Sequence, residues 1–134
     1  MRLFMQSGLV ALGSAVGGLL RWWVTAAAGR WLGTRLPYGT FFINVSGCLF
    51  LGWFVTLLAD RLLTQSSSWL SEDDLRLLVA VGFTGGYTTF SSFEYESNNL
   101  LSRGDGFAGI TYVFGSVFLG LVAVRVGTLL ARWR

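Results

Sequence analysis

The chain has 134 residues, enough for one domain, and is 53% hydrophobic and 16% aromatic but only 13% charged, with a mean hydropathy of +0.59. A soluble domain carries roughly 25% charged residues, and here the few charges fall between long apolar runs, which excludes an ordinary soluble core and points to a bilayer. All ten basic residues are Arg, giving a net charge of +3; they are spread over segment ends as interfacial anchors rather than gathered on one face, which excludes a nucleic-acid reader.

A membrane-spanning helix needs about 20 mostly apolar residues, and the chain holds four such runs. The first covers residues 3–20 and continues through residues 22–29 beyond a single Arg21. Met1-Arg2 gives only a thin basic start and no convincing small-x-small cleavage site follows, so this run is expected to remain as a mature helix rather than a signal peptide. The second, residues 38–59, is free of charge and contains Cys48, the one cysteine. With no partner thiol and no histidine, Cys48 forms no intrachain disulfide or Cys/His metal site and is expected to act as a small packing residue. The third begins after Asp74 and runs without charge over residues 77–93; the fourth covers residues 106–124 and is closed by Arg125.

The connections are short. Residues 30–37 hold the single proline, and residues 60–74 hold the Ser66-Ser67-Ser68 run and the acidic Glu72-Asp73-Asp74. Ser71 reads as an N-cap with acids in the first helical turn. Ser102-Arg103-Gly104-Asp105 reads as a tight turn. The expectation is therefore an all-α membrane protein, a single four-helix transmembrane domain over residues 1–134.

With the N-terminus inside, that side carries Arg2, Arg61, Arg76, Arg132 and Arg134, and the other carries Arg30, Arg35 and Arg103. The asymmetry is weak for the positive-inside rule. Such a chain can insert both ways, which permits an antiparallel dimer of identical subunits. Of the 18 glycines, Gly13 and Gly17 lie one turn apart, and Gly47 and Gly52 sit near one face of the second helix. Close packing through small residues explains most of them.

The third run carries the chemistry. In Gly82-Phe83-Thr84-Gly85-Gly86-Tyr87-Thr88-Thr89-Phe90-Ser91-Ser92-Phe93, three glycines and three β-branched threonines disfavour a continuous helix. A break in the membrane frees carbonyls that protein, water or an ion must satisfy, and a monovalent cation held by carbonyls alone is one solution. A glycine kink packed on a neighbouring helix is the other. Beyond it, Thr88, Thr89, Ser91 and Ser92 supply hydroxyls. Phe90 and Phe93 share a helix face: two packing phenylalanines, or two positive ring edges able to flank a small anion. Asn44 in the second run is either a functional donor or an interhelical tie. Glu94 and Glu96 are either functional intramembrane acids or a solvated helix exit paired with Arg.

At Gly18-Leu19-Leu20-Arg21-Trp22, at Gly39-Thr40 with Asn44, and at Gly85-Gly86-Tyr87-Thr88-Thr89-Phe90-Ser91-Ser92-Phe93, the chain resembles the Fluc (CrcB) family of small fluoride channels. The last motif is highly specific, and the matches span three of the four helices. The resemblance implies an antiparallel, dual-topology homodimer with two parallel pores and a third helix broken in mid-membrane. It implies that Phe90 and Phe93 line the fluoride path with Asn44 donating to the ion. The carbonyls of Gly85 and Thr88 would hold a structural sodium ion at the dimer centre. Thr40, Ser91 and Ser92, with Tyr112 and Ser116 of the fourth helix, match polar-track positions, and Glu96 matches an acidic position near one pore end. Ser92 stands where threonine is commoner, Glu94 where many members have serine, and Gly120 where some have a further pore serine.

The function so implied is passive export of fluoride across the cell's inner (plasma) membrane, with no enzyme activity, nucleic acid or further protein partner. Missing histidine already removes the commonest general base. A proton-coupled small multidrug exporter would need a carboxylate in the first helix, and residues 3–29 have none. A non-transporting scaffold would leave the coincidence of break, hydroxyls and phenylalanine pair unexplained.

Overall fold

The computed structural model describes residues 1–62 and 71–133, all of whose regular structure is helical. The Ser66-Ser67-Ser68 run, the side chain of Arg61 and Arg134 lie outside the described residues. Helix α1 spans Arg2–Leu32, α2 Tyr38–Leu62, α3 Glu72–Leu75, a π-helical stretch Arg76–Thr84, α4 Gly85–Tyr87, α5 Phe90–Ser102 and α6 Gly106–Arg132. Among the described residues three helices, α1, α2 and α6, are long and apolar enough to cross a bilayer.

The first and fourth runs are longer as helices than the charge pattern suggests. Neither Arg30 nor Arg125 ends its helix, because an exposed guanidinium on a long stem costs little helix propensity. α1 stops at Gly33, whose φ of 79° no other residue adopts cheaply. Ser71 caps α3 as expected: its Oγ accepts from the Asp74 N–H at 3.2 Å, and Asp74 Oδ2 accepts from the Ser71 N–H at 3.2 Å, a reciprocal capping box.

The π-helical stretch departs from the sequence expectation, which placed only a glycine break here. Its widened coil seats against α1 through glycine. A Cβ on Gly13 would strike the Leu78 carbonyl oxygen and one on Gly17 the Phe83 carbonyl oxygen, while Cβ atoms on Gly82 and Gly86 would press on the Val10 and Ser14 backbones. Four glycines thus bring the two backbones together. The same device joins α2 to α6, where a Cβ on Gly52 would collide with Val124 and one on Gly127 with Leu49.

The chain changes neighbours between Tyr87 and Phe90. Before that point, the π-helical stretch and α4 pack on α1; after it, α5 packs on α6. The core beneath α5 is Phe93, Leu100 and Tyr112, with Leu36, Phe41 and Val113 around it. Outside, Trp22, Phe114, Phe118 and Leu121 are each more than 60% exposed. That apolar coat suits lipid, not water.

Candidate functional site

The backbone leaves helical geometry at two residues. Thr88 has φ −78° and ψ 159°, and Thr89 has φ −150° and ψ 119°; the helix resumes at Phe90. The Thr89 hydroxyl caps it, accepting from the Ser92 N–H at 3.3 Å.

Each residue of this interruption and the one before it is held by a side chain from another helix. The hydroxyls of Tyr87 and Ser46 are 2.9 Å apart. Arg21 Nη1 donates to the Thr88 carbonyl at 3.4 Å, a long bond. Asn44 takes both polar groups of Thr89: Nδ2 donates to the carbonyl at 3.1 Å, and Oδ1 accepts the N–H at 2.9 Å. Asn44 is therefore an interhelical tie, and one of its two amide hydrogens stays available to another acceptor.

The Asn44 tie has a consequence at Gly85. In a continuous helix the Gly85 carbonyl would accept the Thr89 N–H, but that N–H is committed to Asn44. The Gly85 and Thr88 carbonyls thus both fall outside the helical ladder, hard oxygens of the kind that suit a hard cation. Gly85 is exposed, and a Cβ there would meet nothing within the chain.

From the interruption a line of side chains leads from the exposed Phe90 into the interior. Phe90 is 73% exposed, whereas Phe93 is 6% exposed; their ring centroids lie 6.0 Å apart. Phe93 packs on Tyr112 at 5.3 Å. The Tyr112 hydroxyl donates to Glu96 Oε2 at 3.1 Å, and the Thr40 hydroxyl donates to Glu96 Oε1 at 2.8 Å. Two hydroxyls, rather than an arginine, satisfy the Glu96 carboxylate; among the described residues it has no ion pair. One turn along α6, Ser116 Oγ is buried without a protein partner among the described residues. One turn further, a Cβ on Gly120 would stand 3.5 Å from Cys48 Sγ, an ordinary contact.

Not every expected site residue joins this line. Ser91 and Ser92 sit at the cap, their hydroxyls 3.5 and 3.1 Å from Thr89 Oγ1. Ser91 is exposed on the outer side with Phe90, Glu94 and Asn98. Arg21, Ser46 and Tyr87 were not among the expected site residues. For Arg21 the available signal was its charge, alone in an apolar run without an acid.

Helices coated for lipid around a buried polar line define a multi-pass membrane protein. Within that class, the profile described as CrcB-like protein, Camphor Resistance (CrcB), matches residues 8–128, and the chain belongs to the CrcB family. It is 47% identical to the fluoride-specific ion channel FluC of Chloroflexus aurantiacus over 124 residues, 92% of this chain and 93% of that one. It is 45% identical to the Solibacter usitatus protein of the same name, over 96% of this chain and 99% of that one. The Rhizobium etli protein of that name is 41% identical over 96% of this chain and 97% of its own.

Proposed function

We propose that this chain forms a fluoride-selective channel in the cell membrane, conducting passively and lowering cytoplasmic fluoride. The observation that carries the reading is the unbroken line from Phe90 through Phe93 and Tyr112 to Glu96 and Thr40. It begins at the interruption in the third crossing, which we read as a break in mid-membrane. The names of the relatives agree with it.

Fluoride is small and strongly hydrated, so a path must replace its water with donors. Here these are ring edges of Phe90 and Phe93, the spare amide hydrogen of Asn44, and the hydroxyls of Ser91, Ser92 and Ser116; Thr40 and Tyr112, whose hydroxyl protons go to Glu96, turn to the ion only by leaving that carboxylate. The partnerless Ser116 hydroxyl suits such a role. No arginine lies on the line itself, so an ion is not trapped. An inside-negative potential favours outward movement by about 2.3 kcal/mol per charge per 100 mV.

The working unit in this reading is an antiparallel homodimer with two pores. α5 exposes Phe90, Ser91, Glu94, Tyr95 and Asn98 on one side. Polar groups and a carboxylate at membrane depth need protein or water against them, and a second copy supplies protein. A groove of about 220 Å³ opens beside the interruption, lined by Asn44, Thr84, Thr88 and Phe90. A sodium ion at the dimer centre would be held by the Gly85 and Thr88 carbonyls and would supply the positive charge that their exposed lone pairs lack.

Purified protein in liposomes, followed with a fluoride electrode, tests the reading. Wild type should release fluoride down its gradient and retain chloride; Phe90→Ile and Asn44→Asp should release little. Equal release of chloride and fluoride, or release of neither, defeats it.

A further inference from the structure

The two glycines with left-handed backbone, Gly33 at φ 79° and Gly104 at φ 82°, lie in the α1–α2 and α5–α6 connections. Both connections turn toward one cavity of about 250 Å³, to which the first contributes Arg35 and the second Arg103. Asn99 also lines it, and Thr40 and Glu96 line it at the far end of the polar line described above. A volume of this size holds about eight waters at about 30 Å³ each.

The charges in this cavity are Arg35, Arg103 and Glu96. Both arginines are exposed, and among the described residues neither is ion-paired. Glu96 lies where the cavity meets the polar line, and its carboxylate is held in place by Thr40 and Tyr112. Two free guanidiniums against one carboxylate leave the cavity positive. Because they stand in water at its rim rather than on the polar line, they attract an anion without gripping it, and added salt screens them.

We propose that this cavity is the hydrated outlet of the polar line, and that Arg35 and Arg103 concentrate small hydrated anions there for exchange with Thr40. The proposal rests on the fluoride reading and adds to it the place, and the side chains, at which the ion meets bulk water.

The test compares wild type, the double variant Arg35→Gln/Arg103→Gln, the two single variants, and Arg35→Lys/Arg103→Lys in liposomes at limiting fluoride. Ionic strength is set with sodium gluconate at about 10 mM and about 300 mM, where screening is weak and strong respectively. Arg132→Gln, at the other end of α6, is the control. The double glutamine variant should release fluoride about threefold or more slowly than wild type at low ionic strength and nearly equally at high. The single variants should fall between, and the lysine pair and the control should match wild type. If the glutamine variants match wild type at low ionic strength, or fall equally at both, or if lysine does not restore the rate, the outlet is overturned while fluoride release by wild type stands. If wild type itself releases no fluoride, the functional reading falls and the outlet with it. Size-exclusion profiles confirm assembly, and the single variants carry the comparison should the double variant not assemble.

Discussion

Asn44 pairs with the Thr89 peptide as one strand pairs with another, giving Nδ2 to its carbonyl at 3.1 Å and taking its N–H at 2.9 Å. An amide on α2 thereby takes the Thr89 N–H that would otherwise bond Gly85, adds a second donor to the carbonyl that already caps the next helix, and leaves the Gly85 and Thr88 carbonyls outside the helical ladder.

Replacing Asn44 should therefore act on fold and transport together. Asn44→Ala leaves the Thr89 N–H without a partner and removes the second donor to its carbonyl, and interhelical bonds in membranes contribute about 0.6–2 kcal/mol each. Asn44→Asp keeps the acceptor but sets a carboxylate against the Thr89 carbonyl, so it should be the worse of the two. Thermal unfolding in detergent should rank wild type above Asn44→Ala above Asn44→Asp, with fluoride release abolished in the last.

The two phenylalanines should separate stability from conduction. Phe93 is 6% exposed against Tyr112 and Phe90 is 73% exposed. Phe93→Ala should cost about 3–5 kcal/mol, as a large-to-small change in a packed core does, and lower the melting temperature sharply. Phe90→Ala should leave the subunit's fold nearly intact while suppressing fluoride release. A reversed order of melting temperatures would contradict this assignment.

Adjacent glycines of α1 offer a paired test of packing. A Cβ on Gly17 would strike the Phe83 carbonyl oxygen, which is backbone and moves only with its helix, whereas a Cβ on Gly18 would meet nothing within 4 Å. Gly17→Ala should destabilise by about 1–3 kcal/mol through overpacking. Gly18→Ala should be neutral or stabilise by up to about 1 kcal/mol through helix propensity. Melting curves of the two variants side by side decide it.

Sodium removal gives a test that does not depend on transport. If the Gly85 and Thr88 carbonyls hold sodium, exchanging sodium for N-methylglucamine should lower the melting temperature, since a ligand at 100 times its Kd stabilises by about 2.7 kcal/mol. Arg21 shares the Thr88 carbonyl and repels a cation there. Arg21→Met should then shift the sodium titration of the melting temperature to lower concentration, while Arg21→Lys should shift it less. A melting temperature indifferent to sodium would dismiss the ion.

Part of this was legible beforehand for a physical reason. Spanning length, charge placement and helix punctuation are local properties. Hence the runs near residues 3–29, 38–59 and 106–124 became α1, α2 and α6, and Ser71 capped its helix; the break expected at Gly82–Gly86 falls instead just beyond those glycines, which are helical, at residues 88–89. The π-helical coil of Arg76–Thr84 was not legible, because it comes from fitting against the glycines of α1.

By itself the sequence determined that this is a helical membrane protein, that its third apolar run disfavours a continuous helix, and that its motifs resemble one family. Only the tertiary structure decided what holds the irregular stretch and which way its side chains face. Arg21 reaches Thr88 across 67 positions of chain and Thr40 reaches Glu96 across 56. A helical period shows that Phe90 and Phe93 share a face, but not that one ring lies in the core while the other projects outward. Hydrophobic pattern records only what each residue prefers as surroundings; partners are fixed when the helices close on one another.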